Sequence, residues 1–96
     1  MIGVRVRAMP RRAVLDPQGE AVVGSLRSLG HEAVRDAHVG RVIELLLDTD
    51  DPAEAIAMAD SMCEQLLVNE VVEYGAIELV DAGEVGLAVA GMEAFA

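Results

Sequence analysis

The sequence contains no lysine and no tryptophan, and only two aromatic residues, Tyr74 and Phe95, among 96 positions. Without lysine there is no Walker-type Gly-Lys-Ser or Gly-Lys-Thr loop, and Gly-x-Gly-x-x-Gly is absent as well. The sequence therefore predicts no nucleotide site of its own. Because 53% of the residues are hydrophobic, the core must be built from aliphatic residues and methionine.

Basic residues are few, and none follows Arg41. Residues 1–41 hold all seven arginines against four acids, whereas residues 42–96 hold thirteen acids and no base. The net charge of −10 argues against nucleic acid or an anionic membrane as a partner, because both are bound through clustered basic side chains. The unequal distribution of charge along the chain is consistent with a basic edge of one subunit pairing with an acidic face of another. The ordinary explanation is that both charged faces are exposed to solvent.

Cysteine is represented once, by Cys63, which lies in an apolar stripe and is expected to be a small buried residue rather than a reactive thiol. The N-terminal segment lacks the hydrophobic run of a signal peptide, so a cytoplasmic location is expected. We predict one domain over residues 1–80. Residues 81–96, interrupted by Glu84, Gly86, Gly91 and Glu93, are too short and polar to span a bilayer and are expected to form a weakly ordered or docking tail.

Two Asp-Pro pairs predict the starts of two helices. Residues 2–8 first alternate apolar and polar side chains, which is typical of a half-buried strand. A helix then begins at Pro17, capped by Asp16, and ends near Gly30. A second helix begins at Pro52, with Asn69 as its C-terminal cap. The apolar stripe of the first helix comprises Val22, Val23, Leu26 and Leu29.

The remaining segments are rich in strand-forming residues. We predict strands over 33–39 and 41–47, joined by a tight hairpin at Val39-Gly40, and a last strand over 71–80 with a bulge at Gly75. The order predicts an α+β, ferredoxin-like βαββαβ fold, with a four-stranded antiparallel sheet and two helices on one face. Because the strand at 41–47 carries apolar residues on both sides, we also expect a sheet-mediated oligomer.

No catalytic, metal-binding or cofactor-binding residue is predicted in this chain. His31 and His38 have no metal-ligand spacing, and the acids from Asp48 to Asp51 lack the glycine and distal glutamate of a calcium loop. Residues 9–12 lack the glycines of an acylphosphatase-like loop and the cysteine pair of a heavy-metal carrier. A binding or assembly role remains.

Several segments, in matching order over about residues 2–80, resemble PurS, the small subunit of phosphoribosylformylglycinamidine synthase. The resemblance implies a noncatalytic subunit that dimerises and joins the ATP-dependent synthase subunit PurL to the glutaminase subunit PurQ. The complex makes the formylglycinamidine product in purine biosynthesis, with ammonia passed between sites; ATP and Mg²⁺ are expected in the synthase subunit. The segments are Val4-Arg5-Val6, "VLDPQG" (14–19), "VGR" (39–41), "IEL" (43–45), "MCEQLLVN" (62–69) and Val72-Glu73.

Individual residues match the PurS pattern and become candidates for partner contacts. The family usually has Gly-Lys where this chain has Gly40-Arg41, and a proline or small residue where it has Glu70. Gly19 is costly in a first helical turn, so another backbone or subunit is expected to approach there. The alternatives are a ligand-sensing regulatory domain of the same fold and a stand-alone hydrolase. The candidate residues are Asp16, Pro17, Gln18, Gly19, Gly40, Arg41 and Asn69.

Overall fold

A computed structural model describes residues 1–85, so most of the predicted tail, residues 86–96, lies outside the described residues. Residues 82–85 form a short helical turn. The second helix continues into a π-helical turn, Cys63–Leu67. The strands and helices are β1 (Ile2–Pro10), α1 (Pro17–Ser28), β2 (Arg41–Leu47), α2 (Pro52–Met62) and β3 (Glu73–Val80).

The three strands form one antiparallel sheet in the order β2-β1-β3. In the middle of the sheet, Val4 lies opposite Leu45 on one side and Leu79 on the other. At the far end, Ala8 pairs with Arg41 and Pro10 pairs with Glu73. The end of β1 therefore meets the beginnings of β2 and β3, and we call this region the sheet end.

The core lies between the sheet and α2. Val4, Val6 and Ala8 of β1 have no solvent exposure, and neither do Ala55 and Ala59 of α2. The alanines let the helix approach the central strand closely, so the valine side chains lose all contact with water. Each buried valine contributes about 1.5–3 kcal/mol relative to an exposed one. The rest of the buried cluster is Leu47, Cys63 and Val68.

Both helix starts are confirmed. The Asp16 side chain accepts a hydrogen bond from the N–H of Gly19, and the Asp51 side chain accepts one from Ala53. A proline occupies the first turn of each helix. Gly30 follows α1 with φ of +101°, the left-handed conformation that glycine adopts without strain.

The prediction of a fourth strand is wrong for the described residues. Residues 34–40 form no strand, and Val39-Gly40 forms no hairpin. Gly40 does not adopt positive φ; instead, an added Cβ there would overlap the Met9 sulfur and lie 2.6 Å from the Ala8 carbonyl oxygen. Gly40 thus packs flat against β1, and the chain enters β2 without reversing direction.

Two local predictions near β3 are also wrong. The β1–β3 register continues through Gly75 without a bulge, because Gly75 pairs directly with Ala8. Asn69 does not cap an α-helical end, since the helix passes into the π-helical turn, whose C-terminal boundary is Val68. Asn69 instead shapes the following turn, where its carbonyl oxygen accepts hydrogen bonds from the N–H groups of Val72 and Glu73.

The two helices do not share one face of the sheet. α2 packs on β1 and β3, whereas α1 makes no substantial contact with any strand or with α2. Gly19 is the only buried residue of α1, and Leu29, at the end of its apolar stripe, is 75% exposed. We call residues 11–40, which leave the sheet end and return to it, the arm. Among residues 1–85, no helix is long and apolar enough to cross a membrane.

Candidate functional site

Gly40, Arg41 and Asn69 lie at or beside the sheet end, whereas residues 16–19 lie within the arm, where α1 begins. They form two clusters, one around the carboxylate of Asp16 and one around the carboxylate of Glu73. Residues 39–41 connect them, because Val39 belongs to the first cluster and Arg41 to the second.

The Asp16 cluster joins the start of α1 to residues 33–39, which we call the return segment of the arm. Oδ1 of Asp16 accepts a hydrogen bond from the N–H of Gly19 at 3.0 Å, and Oδ2 accepts one from the N–H of Val39 at 3.1 Å. These two bonds, that of Gly19 first, lower the pKa of Asp16 below its usual value. The carboxylate is therefore ionised at neutral pH and links two segments that are 23 residues apart.

Gly19 is where these segments touch. It is buried, and an added Cβ would overlap the carbonyl oxygen of Ala37. The backbone expected to approach Gly19 is thus that of the same chain. Pro17 and Gln18 are exposed beside it, so they lie on the surface of the arm.

His38 lies between two carboxylates at the surface. Its Nδ1 is 3.5 Å from Oδ2 of Asp16, and its Nε2 is 2.9 Å from Oδ2 of Asp36. Asp36 belongs to the same segment as His38, so only the contact with Asp16 joins this histidine to the start of α1. Within residues 1–85, no group of three or more His, Cys, Asp or Glu side chains is arranged to hold a metal ion.

The Glu73 cluster joins the starts of β2 and β3 to the turn after α2. The Arg41 guanidinium donates to both carboxylate oxygens of Glu73, at 2.8 and 3.1 Å, and to the carbonyl oxygen of Leu67 at 3.1 Å. The N–H of Asn69 donates to Glu73 at 3.0 Å. The Asn69 backbone first, and then Arg41, lower the pKa of Glu73.

Glu73 is the residue that the sequence did not single out as a site. Two features of the sequence could have pointed to it: Glu73 belongs to the Val72-Glu73 pair that resembles PurS, and it is an acidic residue at the start of a strand. Its partner Arg41 is 32 residues away, and periodicity carries no information about such a pairing.

The two clusters flank an open hollow of about 720 Å³. It combines one arginine, one carboxylate and one histidine with an aromatic ring and two apolar side chains. The clusters hold backbone segments in place, and the hollow offers a surface of mixed charge. Its lining residues are Met9, Pro10, Arg12, Asp36, His38 and Tyr74.

Comparison with known proteins assigns the family. The family model for PurS, described as phosphoribosylformylglycinamidine (FGAM) synthase, matches residues 3–81. A PurS subunit of Synechocystis sp. is 41% identical over 75 residues, covering 78% of this chain and 75% of the relative. A PurS subunit of Mycobacterium leprae is 42% identical over 69 residues, covering 71% and 82%.

Solved structures of PurS proteins have a similar fold. PurS of Bacillus subtilis superposes with a TM-score of 0.74 at 34% identity, covering 84% of this chain and 100% of that one. A chain in the structure of PurLQS from Thermotoga maritima superposes with a TM-score of 0.76 at 28% identity, covering 82% and 96%.

The fold and these matches define a small α+β subunit of a purine-biosynthetic synthase. The chain belongs to the PurS family, whose members are subunits of FGAM synthase, and the predicted resemblance is confirmed. The matched region includes all seven candidate residues.

Proposed function

We propose that this chain is a noncatalytic assembly subunit of FGAM synthase, which holds a PurL synthase subunit and a PurQ glutaminase subunit together in the cytoplasm. In this role it supports the transfer of ammonia between them. The observation that carries the proposal is the similarity over 82% of the chain to a structure described as PurLQS. ATP and Mg²⁺ belong to the synthase subunit in this scheme.

The chemistry of the two clusters supports an assembly role. The carboxylates of Asp16 and Glu73 both accept backbone N–H groups of the same chain, and Arg41 is engaged by Glu73 and Leu67. Because these side chains bond to groups of their own chain, they hold the backbone of the sheet end and the arm in a fixed shape. We therefore assign Asp16, Gly19 and Arg41 to the ordering of the sheet end.

Exposed apolar residues beside the Glu73 cluster supply a contact surface. Leu66 and Val71, which flank Asn69, are each 82% exposed. Apolar side chains this exposed favour a protein partner, since burial removes them from water. We propose that this surface and the exposed Pro17 and Gln18 contact the larger subunits.

The test is reconstitution with separately purified PurL and PurQ, scored by complex formation and by activity with glutamine. Val71→Asp should weaken the complex at least tenfold and reduce glutamine-dependent activity, because it places a charge on the contact surface. Activity of PurL with free ammonia should not change. Ile56→Asp, on the exposed part of α2, is the matched control and should assemble normally.

Two results contradict the proposal. The first is full glutamine-dependent activity of PurL and PurQ without this chain. The second is a failure of the unmodified chain to join them. Saturable calorimetric binding of an amino acid or nucleotide by the isolated chain would instead favour a ligand-sensing regulatory domain.

A further inference from the structure

One face of the sheet is covered by neither α1 nor α2 in the described part of the chain. Successive side chains of a strand point to opposite faces, so the buried valines of β1 face α2. The odd-numbered residues of β1 point to the other side, which we call the second face. Leu46 and Val42 of β2 lie on this face and are 49% and 57% exposed. Apolar side chains this exposed form a surface that another apolar segment can cover.

The chain after β3 turns onto the second face. β3 ends at Val80, which pairs with Gly3, and residues 82–85 then form a helical turn. A Cβ added to Gly3 would point to the second face and lie 2.8 Å from methyl groups of both Val80 and Val85. Val85, the last residue that the structure describes, therefore lies on this face, at the beginning of β1.

Eleven residues follow Val85 in the sequence, and their larger apolar side chains recur at helical spacing. Val89, Met92 and Phe95 come four, seven and ten residues after Val85. In a helix that continues the turn at 82–85, this spacing places them on the same side as Val85, which is the side that meets the sheet. The opposite side of that helix would carry Leu87, Ala90, Gly91 and Ala94.

We propose that residues 86–96 continue this turn as a helix and pack on the second face of their own chain, alongside β1. Val89, Met92 and Phe95 face the sheet and remove Leu46 and Val42 from water. The contact lies within one chain, and it uses none of the residues proposed to contact the synthase and glutaminase subunits. The tail therefore covers the side of the sheet that α2 leaves open.

The tail and the second face match in length. From Gly3 to Met9, β1 extends about 20 Å, because a strand rises about 3.4 Å per residue. From Val85 to Phe95, a helix extends about 15 Å at 1.5 Å per residue. A helix that starts over Gly3 and runs beside β1 therefore stays over the sheet as far as Phe95.

Glu93 matches the charge of the second face at the far end of this path. Arg7 lies about 14 Å along β1 from Gly3, and Glu93 lies about 12 Å along the helix from its start over Gly3. The Arg7 side chain is 58% exposed, and its ion pair with Glu78, at 3.5 Å, shares that carboxylate with Arg5. Glu93 supplies a second carboxylate to this pair of arginines.

The first test locates the tail with a nitroxide label in the full chain. The label is attached at Ala94→Cys, on the solvent side of the helix, in a Cys63→Ala background, because Cys63 is the only cysteine of the sequence. The NMR amide signals of Val42 and Arg7 should lose most of their intensity. The signal of Glu54, exposed on α2 across the sheet, should not change. Unchanged signals of Val42 and Arg7 would overturn the proposal.

A pair of samples distinguishes the chain's own tail from that of a second copy. In one sample the isotope and the nitroxide are on the same chain, diluted with unlabelled chains. In the other, isotope-labelled chains are mixed with separate nitroxide-labelled chains. The loss of intensity should be greater in the first sample. An equal or greater loss in the second sample would mean that the tail covers another copy, and the proposal would be wrong.

Substitutions in the tail test which side of the helix meets the sheet. Val89→Asp in the nitroxide-labelled chain should restore the signals of Val42 and Arg7, because it places a charge in the apolar contact. Ala90→Asp adds the same charge on the opposite side of the helix and should leave the loss of intensity unchanged. Signals that stay weak in Val89→Asp, or that recover equally in both variants, contradict the proposed packing.

Discussion

The two helices start with the same local sequence signals, but α2 packs against the sheet whereas α1, in the arm, does not. Each helix has an aspartate cap, a proline in its first turn and an apolar stripe. In α2 the stripe places Ala55 and Ala59 in the core, whereas in α1 only Gly19 is buried. Capping and periodicity therefore determine where a helix forms, and the path of the neighbouring chain determines whether its apolar side is covered.

The largest difference between the regions should appear when one valine in each is replaced by aspartate. Val6→Asp places a charge at a position with no exposure, and we expect a loss of more than about 4 kcal/mol, enough to unfold the chain. Val22→Asp, at a 39% exposed position in α1, should leave the isolated chain folded. Urea unfolding followed by circular dichroism measures both. Equal losses would show that the arm belongs to the core.

Two glycines within α1 provide a smaller and more local test. Gly19→Ala should reduce the free energy of unfolding by about 1–3 kcal/mol, because the added methyl group would overlap the Ala37 carbonyl oxygen. Gly24→Ala has no atom within 4 Å of the added carbon and should stabilise the chain by about 0.5–1 kcal/mol through helix propensity. The same denaturation assay compares them. A stabilising Gly19→Ala would contradict the close contact between α1 and the return segment.

The same contrast explains how far the sequence could predict the fold. The Asp-Pro pairs at residues 16–17 and 51–52 act over three residues, so both helix starts were predictable. That residues 33–39 form no strand with the described part of the chain was not predictable, because their composition suits a strand but pairing depends on a neighbouring edge. Gly40 illustrates the ambiguity, since glycine serves both a tight turn and close packing, and here it packs against Met9.

The candidate site divides in a similar way. Asp16 and Gly19 were found because both belong to one short motif at a helix start. Aspartate stabilises a helix as its cap, and glycine destabilises a first helical turn, so each residue can be recognised without knowledge of the rest of the fold. Glu73 was missed because its role depends on Arg41, which is distant in sequence. Asn69 was assigned to a helix end because sequence patterns do not distinguish a π-helical turn from an α-helical one.

The smallest expected effects are changes in stability with pH. A carboxylate with a lowered pKa can be followed in each region, Glu73 at the sheet end and Asp16 in the arm. The pKa of Glu73 is lowered in the folded chain, below the usual 4.5, by the N–H of Asn69 and by Arg41. A lowered pKa means that the folded chain binds the proton less tightly than the unfolded chain. The resulting stabilisation is present above pH 4.5 and is lost as the pH falls through the folded-state pKa. Glu73→Gln should therefore flatten the acid side of the stability profile measured by urea unfolding.

Asp16 should show the same sign in the arm but a different readout. Its pKa is lowered from 3.8, first by the N–H of Gly19 and then by that of Val39, so the carboxylate stabilises the arm at neutral pH and loses this effect as the pH falls below about 3.8. Because the arm contributes little to the core, acid should release the Val39 amide before the sheet unfolds. Amide hydrogen exchange at Val39 and Val6, followed by NMR from pH 6 to 3, measures the two regions separately. Asp16→Asn should expose Val39 at every pH and leave Val6 protected, whereas simultaneous loss of protection at both amides would mean that arm and sheet form one cooperative unit.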